Sequence, residues 1–410
     1  MRIIIYGLNF KPEDIGIGKY TGELADFLHQ KKHAIRVICA PKYYPYWKTS
    51  INRYYVENNS NFPIYRCPIY IPKSPNGFKR LLHLISFSIT SLPIFLSQLF
   101  WKPDVIIVIV PTLFCAFNLI IFKLLSFKKL LTVLHIQDFE LEAAFNLKIL
   151  KGKIYKNIFS NIESVIYKNF SVVSSISGRM VNSLALKGID KRKIYYFPNW
   201  VDLKKIRVKK IKDNKNNMYR KKLKISPKTI VIQYSGSMNR KQGLNFLIPV
   251  IENFNNNKKI LWLFGGEGPI KQDFMNLTKK ISNIKFLPIQ ESKNLSDWLG
   301  TADIHIIPQK KEVQDLVFPS KLLAILASGI PIVSNSSSES ELGRIVKHAG
   351  IQVEPQDSIG FENALKILIK DEKLRFELGK KGRELAYKKY KKELILDKFE
   401  HFLNKRTNNN

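Results

Sequence analysis

Short β-rich runs alternate with segments of helical period along this chain, lapse near residue 199, and resume near 229. This doubled alternation is the strongest constraint on the fold, because strands separated by helices pair in parallel and bury both faces of the sheet. The first series reads 2–6, 35–40 ("IRVICA"), 64–70, 104–109 ("DVIIVI"), 130–136 ("LLTVLHI"), 170–174 and 193–197. Between these runs, Ile17, Tyr20, Leu24, Phe27 and Leu28 fall on one helical face, as do apolar positions within 152–168 and 177–187. The second series reads 229–235, 259–264, 284–287, 303–307 and 331–334, with Ile270, Phe274, Leu277 and Ile281 at helical spacing. The expected class is therefore α/β, with two Rossmann-like parallel-sheet domains facing across a cleft. The boundaries read as an N-terminal domain 1–198, a basic connector 199–225, a C-terminal domain 226–380, and a terminal amphipathic helix and tail 381–410. The connector holds "LKKIRVKKIKDNKNNMYRKKLK" without the aromatic interleaving that stacking on bases needs, so nucleic acid is not an expected partner.

Open parallel sheets bind ligands beyond the carboxyl ends of their strands, so the chemistry is expected in the loops that follow them. The loop after the first strand, "GLNFKPEDIGIGKYTGEL", enters a helix through Gly16 and Gly18, which offers either an anion site or a packing turn. A dinucleotide fingerprint does not fit, since Gly16, Gly18 and Gly22 are spaced G-x-G-x-x-x-G and the second strand ends "CAPKYYP" without an acid. The second half carries three polar strand ends. "GSMNRKQG" begins at Gly236 and sets Arg240 and Lys241 between two glycines. "GGEGP" includes Gly266 in a sharp turn, and "DLVFPSK" runs from Asp315 through Pro319 to Ser320 and Lys321 at a helix start. Cations and helix amides together can hold a diphosphate. In the first half, His135 closes "LLTVLHI" and is followed by Asp138, a placement suited to a sugar hydroxyl or a proton.

Other features set limits. Cys39, Cys67 and Cys115 form no CxxC pair, which fits a reducing compartment and a cytoplasmic location. His29 and His33 are four apart with no third ligand, and there is no DxD pair, so no metal and no cofactor are expected. Residues 81–100, "LLHLISFSITSLPIFLSQLF", are uncharged and nearly bilayer length, but His83, Pro93, Gln98 and the serines favour a buried or membrane-surface helix. A net charge of +34 favours contact with anionic partners such as acidic metabolites or lipid.

The strings "GIGKYTGEL", "APKYYPYW", "RCPIYIPKSP", "KRLLHLISF", "VIVPTLFC", "VLHIQDFE", "FPNWVD", "YSGSMNRKQGL" and "PSKLLAILASG" span nearly the whole chain. In them the sequence resembles retaining glycosyltransferases of family 4, which have the GT-B fold and nucleotide-sugar donors. Within that family it resembles the colanic-acid and exopolysaccharide branch, for which fucosyl transfer is the expected activity. The resemblance implies that Gly16 and Gly18 sit near donor phosphates or acceptor, and that His135 contacts the transferred sugar. It further implies that Asn199 and Asp202 lie at the domain crossover, and that Arg240 and Lys241 neutralise the diphosphate. Gly236, Gly266, Ser320, Lys321 and Glu341 complete the implied donor-binding set, with Asp315 as a catalytic carboxylate. Two departures stand out: Leu316 and Ala324 occupy the places of the family's glutamate pair, and Ser237 lies near the place of its arginine. The implied reaction is metal-independent transfer to a saccharide acceptor, lipid-diphosphate-linked, at the inner face of the membrane. The alternatives are an epimerase of the same fold and a degenerate polyanion- or sugar-binding protein.

Overall fold

The computed structural model describes residues 1–410 except 45, 59–60, 74–76, 112, 140–141, 143–152, 210–213 and 409–410. Two compact units emerge, Met1–Pro198 with Ile395–Asn410, and Asn199–Leu394. Each is built on one sheet.

The first unit contains β1 (Arg2–Gly7), β2 (Ala34–Cys39), β3 (Tyr55–Glu57), β4 (Ile64–Arg66), β5 (Val105–Val110), β6 (Leu131–Ile136), β7 (Val172–Ser175) and β8 (Ile194–Tyr196). They lie in the order β3-β4-β2-β1-β5-β6-β7-β8. All neighbours are parallel except β3, which pairs antiparallel with β4. Every residue of β5 ("VIIVIV") and β6 is buried, as expected of parallel strands covered on both faces. The helices are α1 (Gly16–Gln30), α2 (Gly77–Ser97), α3 (Cys115–Leu125), α4 (Lys153–Lys168) and α5 (Gly178–Leu186).

Helix α2 contains most of the apolar stretch 81–100. Leu84, Phe87, Ser88, Ser91 and Phe95 form one buried stripe at helical spacing. Ser91 Oγ lies 2.6 Å from Tyr6 Oη of β1, and Asn118 of α3 donates to that phenol at 2.6 Å and to Ser88 O at 2.7 Å. The opposite side leaves Phe78, Leu82 and Ile89 exposed. The helix therefore lies on its sheet by one face only.

The second unit contains β9 (Ile230–Ser235), β10 (Ile260–Gly265), β11 (Ile284–Leu287), β12 (Ile304–Ile306), β13 (Ile332–Asn335) and β14 (Gly350–Val353). Their order is β11-β10-β9-β12-β13-β14, with every pair parallel. Its helices are α6 (Met218–Lys222), α7 (Ile248–Asn253), α8 (Lys271–Leu277), α9 (Leu295–Gly300), α10 (Lys321–Ser328), α11 (Glu341–Ala349), α12 (Ser358–Lys370) and α13 (Glu372–Lys389). Trp262, Phe264 and Phe274 are fully buried at the centre of its core, with the half-buried Phe286 packed against them. Helix α14 (Lys392–Asn408) follows, and from Ile395 onward it belongs to the first unit. There Phe399 stacks on Phe197 at 3.8 Å and Glu400 Oε1 lies 3.0 Å from His33 Nε2.

Three sequence expectations are corrected here. The described part of the basic segment is not a free connector but part of the second unit. Asn217 caps α6 by accepting from Tyr219 N and Arg220 N, Tyr219 packs edge-on against Trp298, and Arg207 pairs with Asp297 at 2.7 Å. Leu277 is 55% exposed because α8 ends at that residue, so it does not share the buried side of Phe274. The C-terminal region 381–410 likewise forms two helices rather than one, interrupted at Tyr390–Lys391.

Candidate active site

Chain order reverses in the first sheet between β1 and β5, and in the second between β9 and β12. At such a switch point the flanking loops leave in opposite directions and open a crevice at the carboxyl edge. The opening glycine stretch lies at the first of these points. The Arg240-Lys241 loop and the segment leading to Lys321 flank the second.

Three loops of the second unit are tied into one surface. The loop after β9 runs beside the loop after β10: Gly236 N donates to Gly265 O at 2.9 Å and Met238 N to Glu267 O at 2.8 Å. A Cβ on Gly266 would fall 1.8 Å from Gly236 O, so the approach requires glycine at that position, where φ is +153°. Arg240 and Lys241 then form a short 3-10 turn, Arg240–Gln242, capped by Asn239 Oδ1, which accepts from Lys241 N at 3.0 Å. Lys310 N donates to Lys241 O at 3.1 Å, fixing this turn to the loop after β12. Arg240 is exposed and Lys241 half-buried.

The loop after β12 is joined in turn to the one after β13. Gln309 N donates to Asn335 Oδ1 at 3.0 Å, and Ser337 N donates to Gln314 Oε1 at 2.9 Å. Asp315, at φ +65°, accepts from Glu341 N at 2.9 Å through Oδ1. That oxygen is engaged with the first turn of α11, where Ser340 Oγ accepts from Gly343 N. The structure thus gives Asp315 a positioning contact between loops. Glu341 supplies the backbone amide.

Ser320 is exposed just before α10 and makes no side-chain cap, so the first amides of that helix carry no side-chain acceptor from it. Lys321 is the first residue of α10. Its stem is partly exposed, yet its Nζ is covered and lies 3.7 Å from the ring centroid of Tyr234. Burial pulls its pKa down to about 7.

In the first unit, His135 is the penultimate residue of β6 and is buried. Its Nδ1 lies 3.0 Å from Ser174 Oγ and its Nε2 lies 2.9 Å from Gln137 Nε2, with Phe197 packed at 4.9 Å. Burial pushes its pKa down to about 3, so the imidazole is neutral at working pH. Its folded pKa is below the ordinary value, so its neutral form supports stability fully above about pH 6.5 and progressively less as pH falls toward 3. His135→Gln is therefore expected to flatten the acid limb of a melting-temperature profile over that window. An unchanged limb would show that His135 does not carry it.

Gly16 begins α1 at φ +59°, and Gly18 packs against Glu13, whose Cβ would be 2.7 Å from a Cβ added there. Glu13 is itself buried, accepting from Tyr43 N at 3.2 Å, Tyr44 N at 3.0 Å and Asn9 Nδ2 at 2.9 Å. Burial raises its carboxyl pKa even against those hydrogen bonds. Asn199 is buried at the start of the second unit, and Asp202 accepts from Lys204 N at 3.1 Å. Sequence reasoning missed Glu13, Gln309, Gln314 and Asn335, of which only the acid ahead of a Gly-x-Gly turn carries a readable signal.

Solved structures share this architecture across the whole chain. Sucrose-phosphate synthase from Thermosynechococcus elongatus matches with a TM-score of 0.78 at 14% identity, covering 100% of both chains. Anabaena HepE, solved with UDP-glucose, matches with a TM-score of 0.72 at 13% identity, covering 98% of this chain and 99% of that one. The class defined by these two doubly wound sheets is the GT-B glycosyltransferase. Residues 15–205 match the model for Glycosyltransferase Family 4, and residues 215–385 the model for Glycosyl transferases group 1. WcaI of Escherichia coli (strain K12), assigned as a glycosyl transferase of colanic acid biosynthesis, is 35% identical over 410 residues, covering 97% of this chain and 98% of that protein. The chain belongs to glycosyltransferase family 4.

Proposed function

We propose that this enzyme moves a sugar from a nucleoside-diphosphate donor to a saccharide acceptor on a lipid diphosphate, with retention, in exopolysaccharide, capsule or O-antigen assembly. The observation that carries the reading is the pair of cation-bearing segments, Arg240–Gln242 and the start of α10 at Lys321, that flank the β9/β12 switch point, since open parallel sheets bind ligands in the crevice at such points. The UDP-glucose bound in HepE and the assignment of WcaI to colanic acid biosynthesis support donor type and setting. In the reaction, the anomeric C–O bond to the diphosphate breaks, the acceptor oxygen bonds the anomeric carbon, and the acceptor proton passes to the departing phosphate oxygen. Negative charge builds on the leaving diphosphate, and Arg240 and Lys241 stabilise it by fixed positive charge. The test is anomer-resolved product analysis with GDP-fucose and the common UDP-sugars. Transfer with retained configuration supports the proposal, whereas donor consumption without acceptor would indicate an epimerase.

A lipid-linked acceptor calls for contact with the cytoplasmic face of the membrane, and the first unit offers a surface suited to it. Phe117, Ile121 and Leu124 recur at i, i+4 and i+7 on the outer side of α3, with Phe127 beyond it. Phe78, Leu82 and Ile89 are exposed on α2, which packs on α3. Lys79, Arg80, Lys128 and Lys129 are also exposed, the combination that anchors a peripheral protein on anionic lipid. Leu124→Asp with Phe127→Asp is expected to release the protein from phosphatidylglycerol vesicles in sedimentation while leaving its melting temperature unchanged. Equal vesicle binding by this double variant would exclude this surface.

A further inference from the structure

We propose that the Lys321 amine binds the donor's diphosphate and takes up a proton as it does so, coupling donor binding to pH. The inference rests on the donor-site reading above and adds a residue role and a proton to it. Lys321 opens α10 at the switch point, and among the described residues its Nζ has no hydrogen-bond partner although it is shielded from solvent. It is held over the face of Tyr234, whose hydroxyl donates to Ser237 O at 2.6 Å and so locks the ring. A buried ammonium with only a ring face for company is costly, and an anion is the partner its chemistry lacks.

Among the described residues no carboxylate shifts the Lys321 amine. Lys321 is depressed by burial alone, to about 7. From β12 it faces His305, which is also pushed down to about 3, and so is neutral. From β9 it faces Tyr234. Helix α9 packs on α10, and its Asp297 pairs with Arg207. Helix α13 packs on α10 as well, and its Arg383 reaches Ala327 O at the far end of α10. Gly236 lies against the amine: a Cβ there would stand 3.4 Å from Nζ, so glycine keeps side-chain atoms off that face. The loop with Arg240 and Lys241 begins at this same glycine, which sets Lys321 beside the donor-site loop of the reading above. Two phosphate charges beside Lys321 return its pKa toward the ordinary lysine range, and the proton comes from solvent.

The experiment is calorimetric titration of the full chain with UDP and with GDP at about pH 8, in two buffers of different ionisation enthalpy. At that pH the terminal phosphate of either nucleotide is already ionised, whereas an amine of pKa about 7 is mostly neutral. Wild type is expected to take up most of one proton per nucleotide bound. Lys321→Met is expected to bind at least ~10-fold more weakly with no uptake, the loss expected on removing a charge-assisted contact. Lys321→Arg is expected to keep affinity within a few-fold and to lose the uptake, because a guanidinium is always charged. A purely structural lysine would not separate these two variants, and the arginine variant decides the matter where the methionine one fails to fold. Wild-type affinity and wild-type uptake in Lys321→Met, or retained uptake in Lys321→Arg, would overturn the inference alone. Failure of wild type to bind either nucleotide would overturn the donor-site reading and this inference with it.

Discussion

Lys241→Ala is expected to lower the transfer rate by at least ~10²-fold, the scale on which a single donor to a developing oxyanion acts. The effect comes from preorganisation. The main chain of Lys241 is pinned from both sides, its N–H by Asn239 Oδ1 and its carbonyl by Lys310 N, so the side chain starts from a fixed point at the carboxyl edge of β9. Little reorganisation is then needed when charge moves onto the diphosphate. Because that charge is larger in the transition state than in the bound donor, kcat should fall more than KM rises. Initial rates over a range of donor concentration separate the two. Near-normal kcat in Lys241→Ala would remove it from the reaction.

Asp303→Ala is expected to cost about 3–5 kcal/mol, the range for breaking a buried ion pair by deleting one partner. Asp303 is buried and accepts from Lys209 Nζ at 2.7 Å, Arg220 Nη2 at 2.6 Å and Val231 N at 2.8 Å. Arg220 also donates to Thr301 O through Nε at 3.1 Å and Nη2 at 2.9 Å, and to Thr229 O through Nη1 at 3.0 Å. Removing the carboxylate would leave two cations buried without their counter-charge. Burial alone would raise the Asp303 pKa, but Lys209 and Arg220 outweigh it and hold the carboxyl below its usual range. A depressed carboxylate contributes stability that is complete above about pH 4 and is lost as pH falls through the folded-state pKa. The variant should therefore melt about 10 °C lower at neutral pH, the shift that such a loss produces in a unit of this size, with the gap closing in acid. A melting temperature within about 2 °C of wild type at neutral pH would show that the triad does not hold the unit together.

That triad also explains what the sequence concealed. Arg220 and Lys209 sit in a run of basic residues that reads as a solvated connector, and their counter-charge lies 83 and 94 residues further on. No local pattern joins them. The strands most legible in sequence are those with continuous apolar runs, such as "DVIIVI" at β5 and "KILWLF" at β10, where burial on both faces leaves an unmistakable composition. β3 ("YVE") and β14 ("GIQV") were not legible, because each is a short edge strand with a polar residue, and only sheet pairing makes it a strand. Leu277 illustrates the opposite error: its spacing from Phe274 fits a helix face, but the helix ends there.

The candidate site divides along the same line. Arg240 and Lys241 were legible as cations after a strand end, and Ser320 and Lys321 as residues at a helix start, and the fold brings their loops to one switch point. Gln309, Gln314 and Asn335 were not, since uncharged amides are common on loops and only their mutual geometry shows that they tie the loops after β12 and β13 together. The environment of Lys321 was equally hidden, because a lysine in sequence gives no sign of being buried over a tyrosine ring.

The proposed reaction depends on a donor diphosphate site in the second unit. Its most direct test is the melting temperature of the purified chain in chelator with a panel of nucleoside-diphosphate sugars, GDP-fucose and the common UDP-sugars among them, for wild type and Lys241→Ala. Ligands that bind only the folded state raise the melting temperature, so a site of this kind predicts a selective rise with donors of one base, lost in Lys241→Ala. A flat response of wild type to every donor in the panel would contradict the account and leave a polyanion- or sugar-binding protein in its place.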